Sequence, residues 1–164
     1  MNRLFLSLLA ALILTLAGAG TASAANAPMG LVIDGGGWFS VTDEDVWSKE
    51  SKTWSLGGIT VGVLGSGNST FNYKYSRCYG GEVRAELIIT GYRWKTSTEA
   101  TVTAHIDLYE GASCATTDFD GQSELYTFNI KMGQTIGVYL NAINDHEDAA
   151  DGGHTLFRLR AVPA

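Results

Sequence analysis

"VRAELIITGY" (residues 83–92) and "TVTAHIDLYE" (residues 101–110) decide the fold. In the first, Val83, Ala85, Leu87 and Ile89 alternate with Arg84, Glu86 and Thr90. In the second, Val102, Ala104, Ile106 and Leu108 alternate with Thr101, Thr103, His105 and Asp107. Successive side chains of an extended strand point to opposite sides, so apolar residues at every second position share one face. A helix would need apolar spacings of three and four, and neither stretch has them.

The same period continues outward from this pair. Tyr126, Phe128 and Ile130 form one row, Ile136, Val138, Leu140 and Ala142 another, and Phe157, Leu159 and Ala161 alternate with Arg158 and Arg160. One-sided strands suit an antiparallel sheet with one buried and one wet face. Without helices to cover the apolar face, the cover must be a second sheet. The first half of the chain supplies it, through residues 29–34, 37–41, 53–64 and 69–77. Turn clusters such as "DGGG", "GSGNS", "YGGE" and "DFDG" punctuate the chain at close spacing, and there are 20 glycines. The expectation is an all-β, antiparallel β-sandwich or jelly roll of about eight or nine strands. One stretch, "TDEDVWSKESK" (residues 42–52), reads equally as a loop or as a short helix capped by Asp43 with Val46 and Trp47 facing in.

Residues 1–24 read as a signal peptide outside the fold. Arg3 is followed by the apolar run "LFLSLLAALILTLAGAG" and by Ala22-Ser23-Ala24, a small-x-small cleavage pattern. Cleavage after Ala24 is the expectation, with a retained anchor as the alternative. Residues 25–164 then form a single exported domain with no second run long enough to span a membrane. Removing Arg3 leaves 10 basic against 17 acidic residues, a net charge of −7. That balance, with no Lys/Arg run, argues against nucleic acid or anionic lipid as a partner held through a basic patch. Cys78 and Cys114 are the two cysteines, and in an oxidising compartment they are expected to form one disulfide. Asn68-Ser69-Thr70 is a glycosylation acceptor if the source is eukaryotic.

Two sets of residues are candidates for function. Asp145, Glu147, Asp148 and Asp151 crowd one connection, and Asp118 and Asp120 form a second acidic turn, with Asp43, Glu44 and Asp45 in a third. Carboxylates so close repel, and Ca²⁺, which prefers hard oxygen ligands, would relieve the repulsion. The same residues serve equally as ordinary solvated turn formers, and they do not follow the twelve-residue calcium-loop pattern. His146 and His154 lack zinc-site spacing. If the turn "KMGQ" is a single hairpin, the connections 111–121 and 144–153 return to the same end.

Tyr92, Tyr109 and Tyr139 are the second set. Each sits out of phase with an aliphatic row, and wet-face aromatics of this kind stack on sugar rings. Catalytic signals are weak: no G-x-S-x-G occurs, and His105 with Asp107 on the same face is the single lead. The reading is an exported, non-catalytic binding or accessory module for carbohydrate or another surface ligand, with Ca²⁺ as its candidate cofactor. The alternatives are a structural or interaction protein with acidic loops for solubility, and a small hydrolase.

Overall fold

The computed structural model describes residues 27–45, 47–65, 69–94, 97–144 and 150–164. Eleven strands and no helix occur among them: β1 (Met29–Ile33), β2 (Gly37–Glu44), β3 (Lys49–Leu56), β4 (Ile59–Leu64), β5 (Thr70–Tyr79), β6 (Val83–Tyr92), β7 (Glu99–Tyr109), β8 (Phe119–Gln122), β9 (Tyr126–Lys131), β10 (Thr135–Ile143) and β11 (Gly152–Pro163). They form two antiparallel sheets. In the first, β11 lies between β10 on one side and β1 and β2 on the other; β4 then pairs β1, and β3 pairs β2. The second runs β5-β6-β7, with β8 and β9 both on the far edge of β7.

The strand count exceeds the eight or nine expected, for a definite reason. β1 and β2 lie in line along one edge of β11, β3 and β4 lie in line beside them, and β8 and β9 share one edge of β7. Three long ribbons are thus each broken once. The first two breaks face each other: a Cβ at Gly57 would meet the Gly35 backbone at 3.1 Å, and Gly36 and Gly58 both have positive φ. The two backbones pass closely enough that a side chain at Gly57 would have to push its neighbour aside, and the positive φ at Gly36 and Gly58 favours glycine there. The Gly58 amide still donates to the Ile33 carbonyl at 2.9 Å, so the break costs little pairing.

The alternating rows pack as their period requires. Val83, Ala85, Leu87, Ile89, Val102, Ala104, Ile106, Leu108, Phe157, Leu159 and Ala161 are all buried. The two inner faces meet in a sandwich-like core: Phe39 stands edge-on to Tyr75 at 5.6 Å, and a Cβ at Gly153 would touch Ala85 and Ile106 at 2.8 and 3.0 Å. Each large aliphatic buried there contributes about 1.5–3 kcal/mol. Tyr126 departs from its expected inward place and is exposed, because it opens β9 just past the break from β8.

The described residues of 42–52 are not helical. β2 and β3 form a hairpin across them, from Glu44↔Lys49 inward. Asp45 rather than Asp43 closes the turn, its Oδ1 accepting from the amides of Trp47 and Ser48 at 2.8 Å each. Those two hydrogen bonds hold the Asp45 carboxyl below its ordinary range. Trp47, which the helical alternative alone would turn inward, is 94% exposed.

Cys78 and Cys114 form the disulfide, which joins the end of β5 to the β7–β8 connection. This bond points to an oxidising compartment. No helix among the described residues is long and apolar enough to cross a membrane.

Candidate functional site

The acidic turns do collect at one end. The Asn144 side-chain amide, at the close of β10, donates to Glu110 Oε2 at 3.0 Å at the close of β7. Glu110 and Asp151 share a carboxyl–carboxyl hydrogen bond. Asp151, only 3% exposed, accepts the Glu44 amide at 2.6 Å, and Asp120 accepts the Glu110 amide at 2.6 Å. Burial first, then the hydrogen bond to Asp151 and the charges of Asp151 and Asp120, lift the Glu110 carboxyl to about 7; the Asn144 amide opposes them. Burial, with Glu82, Asp45, Glu110 and Glu50 nearby, also raises Asp43.

Two of the candidate metal residues, Asp120 and Asp151, therefore clamp backbone amides of neighbouring connections. Asp118 is exposed, its own amide donating to Thr116 Oγ1 at 3.1 Å. Asp145, Glu147 and Asp148 lie outside the described residues, as do His146 and Asn68. Among the described residues no group of three His, Cys, Asp or Glu side chains is arranged to hold a metal ion. Glu110, the centre of the cluster, was not a sequence candidate. It closes an alternating strand and carries no local motif, so only the fold reveals its neighbours.

The three tyrosines are not brought together. Tyr109 is half-buried, with the Arg84 guanidinium 4.3 Å over its ring and Phe119 edge-on at 5.7 Å. Arg84 also donates to the Cys114 carbonyl at 2.7 Å, so this tyrosine packs beside the disulfide-tethered connection. Tyr92 lies at the opposite end from the acids, edge-on to Trp94 at 6.0 Å.

Tyr139 has the most extended surroundings. Its cross-strand partner in β11 is Leu156, whose partner in β2 is Trp38. Directly opposed residues point to the same face, so these three side chains line up across the outer surface of the first sheet. Tyr139 is 61% exposed, Leu156 is exposed and Trp38 half-exposed. Two strand spacings set Tyr139 and Trp38 roughly 10 Å apart. The next row is polar: Asn141 opposes His154, His154 opposes Ser40, and Ser40 opposes Thr53. Burial first, and then the Lys49 charge, depress the His154 imidazole, which keeps it neutral near pH 7. On the other side of the apolar row Gly137 leaves open space opposite Arg158. Beyond Tyr139 the surface dips into a groove of about 380 Å³ lined by Ser123, Glu124, Leu125, Tyr126 and Asn141, among others.

The catalytic lead resolves into a polar ladder on the outer face of the second sheet. His105 Nε2 lies 3.4 Å from Asp107 Oδ1, which also accepts from Gln122 at 2.7 Å. Glu86, the cross-strand partner of Asp107, pairs with Lys74 at 2.9 Å and Arg84 at 3.2 Å. Glu86 and Asp107 are a like-charge cross-strand pair, and Lys74, diagonal to Glu86 on β5, together with Arg84, Gln122 and His105 offsets their repulsion, which accounts for the ladder without chemistry. The buried Nδ1 of His105 makes no hydrogen bond. No family model, no curated protein and no solved structure matches this chain.

Proposed function

We propose that the protein is an exported, non-catalytic binding module that takes an extended carbohydrate chain on the outer face of its first sheet. One observation carries the reading: the apolar row Tyr139–Leu156–Trp38 runs beside the neutral row Asn141–His154–Ser40–Thr53. Sugar rings offer an apolar C–H face and a rim of uncharged hydroxyls. An apolar row with an aromatic ring at each end, beside Asn141, His154 and Thr53, complements both, while Ser40 is buried and spends its hydroxyl on Lys52 and Thr53. The roughly 10 Å from Tyr139 to Trp38 is about two sugar units of an extended chain, and the groove past Tyr139 lengthens the track. The signal-peptide pattern of residues 1–24 and the disulfide support export.

The test is retention on insoluble polysaccharides of several linkages, followed by titration with soluble oligosaccharides. Tyr139→Ala is expected to weaken binding about tenfold, the loss of roughly 1.4 kcal/mol of stacking. Trp38→Ala should act in the same direction. Failure of the wild-type protein to bind any polysaccharide, or undiminished binding by Tyr139→Ala, refutes the reading.

Calcium enters this proposal as a separate element. Burial first, and then the neighbouring carboxylates, lift Glu110 and Asp43, and the repulsive part of that shift is relieved by a divalent cation as it is by a proton. A rise in melting midpoint in millimolar calcium, reversed by EDTA, would support it; a midpoint indifferent to both removes it. Self-association is the competing reading, favoured by the exposed Leu125 and Ile143 beside the edge of β10 that no strand pairs among the described residues. Sedimentation at rising concentration separates the two.

A further inference from the structure

The end opposite the acids carries an exposed aromatic pair. Trp94 is 72% exposed beside Tyr92, and the two flank an open hollow of about 440 Å³ bounded by Ser69, Thr70 and Arg93. Arg93 itself is buried and acts as a clamp. Its Nη1 donates to the Ala27 carbonyl at 2.6 Å, its Nε to the Ser97 carbonyl at 3.0 Å, and its backbone amide to the Ser69 carbonyl at 2.8 Å. The point where the chain enters the fold is thereby fixed beside Trp94.

Twenty-six residues precede Ala27, and their apolar run ends at Gly20. The six residues Thr21 to Asn26 span at most about 20 Å. β11, with 12 residues, measures about 40 Å along the domain. While the apolar run sits in a bilayer, the tether is therefore too short to bring the acidic end down as readily as the Trp94 end. Charge favours the same orientation. Among the described residues the side-chain carboxylate of the Trp94 end is Glu99, and it is paired with Lys131 at 3.0 Å. Asp43, Glu44, Asp45, Glu82, Glu110 and Asp120 lie toward the other end.

We propose that the Tyr92–Trp94 end is a bilayer-contact surface while residues 1–24 remain attached: with the leader inserted, the two rings rest in the headgroup layer, the acidic end points away from the membrane, and the Tyr139 face stands along the side of the domain between the two. Trp and Tyr favour this layer because one part of the ring system is apolar and the other forms hydrogen bonds. The contact needs neither a basic patch nor a second membrane-spanning segment.

The experiment uses the full chain, leader included, reconstituted into vesicles of phosphatidylcholine and phosphatidylglycerol whose acyl chains are brominated near the headgroup. Bromine quenches nearby tryptophan emission. Trp47 is an internal control, more exposed than Trp94 but in the β2–β3 turn at the acidic end. Both are surface residues, so Trp94→Phe and Trp47→Phe are expected to leave the fold intact. Lipid-dependent quenching should be present in the wild-type chain, largely lost in Trp94→Phe and retained in Trp47→Phe. Absence of quenching in the wild-type chain, or its persistence in Trp94→Phe, overturns the proposal. Polysaccharide binding through Tyr139 is read independently, so either proposal fails without the other.

Discussion

The carboxyl pair at the acidic end makes a quantitative prediction about pH. In the native state Glu110 keeps its proton up to about 7, against an ordinary value of 4.5. The native state therefore binds more protons than the unfolded chain between those values. Stability from this group is complete below 4.5 and is lost as pH rises through 7. At about 1.36 kcal/mol per pH unit the ceiling is roughly 3 kcal/mol, and solvent screening of a half-exposed group reduces it to about 1–2 kcal/mol. Glu110→Gln imitates the protonated acid: its oxygen still accepts from Asn144 and its amide donates to Asp151. The variant should melt with the wild-type protein at pH 5 and above it at pH 8, by roughly 3–7 °C for a domain of this size. His154, whose imidazole is depressed, acts with the opposite sign over an overlapping range. Its contribution is present above its ordinary value and is lost on acidification. The readout is therefore the difference between variant and wild type, which cancels His154, measured by calorimetry in EDTA at fixed ionic strength. A difference that is the same at pH 5 and pH 8, or a variant less stable at pH 8, refutes the reasoning.

Two further predictions concern the frame. Reducing Cys78–Cys114 reopens a loop with a sequence separation of 36, and thermal melts with and without reductant should differ by about 3–4 kcal/mol. Phe71 lies across Gly62 in β4 and Gly91 in β6, where an added methyl would overlap its ring. Gly62→Ala is therefore expected to cost about 1–3 kcal/mol in denaturant melts, and less when combined with Phe71→Leu; equal costs in both backgrounds would show that the ring is not the obstacle.

Much of this fold was legible because antiparallel strands with one wet face announce themselves residue by residue. Every second residue from Val83 to Ile89 and from Val102 to Leu108 is buried, as the alternation requires. What period two does not encode is the continuity between segments. Gly35-Gly36 and Gly57-Gly58 have the composition of turns, yet they sit mid-ribbon, where two backbones pass each other. Residues 42–52 admit both a helix and a loop because a helical spacing can be laid over a hairpin turn when the window is short, and the exposed Trp47 decides for the turn. The site follows the same division. The outward phase of Tyr139 is local and was readable, whereas the row it belongs to depends on Trp38, about a hundred residues earlier in the chain and aligned only through the register of β11 with both β10 and β2.

The segregation of charge follows from chain parity. Counting the broken strands as single ribbons, the path is a meander in which each ribbon crosses the domain once and alternate connections share an end. The β2–β3, β5–β6, β7–β8 and β10–β11 connections hold Asp45, Glu82, Asp118 and Asp151. The connections after β4, β6 and β9, with the chain's entry at Ala27, fall at the other end, which Gly133 ties to Ala161 and Ala164 to Pro28. An acidic residue placed in every second turn therefore needs no long-range contact to find its partners; the up-and-down path delivers it. The same parity puts the entry of the chain at the end with fewest carboxylates, beside Trp94. In this path, an odd number of added ribbons between the two ends of the acidic series would scatter the cluster. Acidic turns and an aromatic tether end are thus two consequences of one topology, and the outer face carrying Tyr139, Leu156 and Trp38 spans the distance between them.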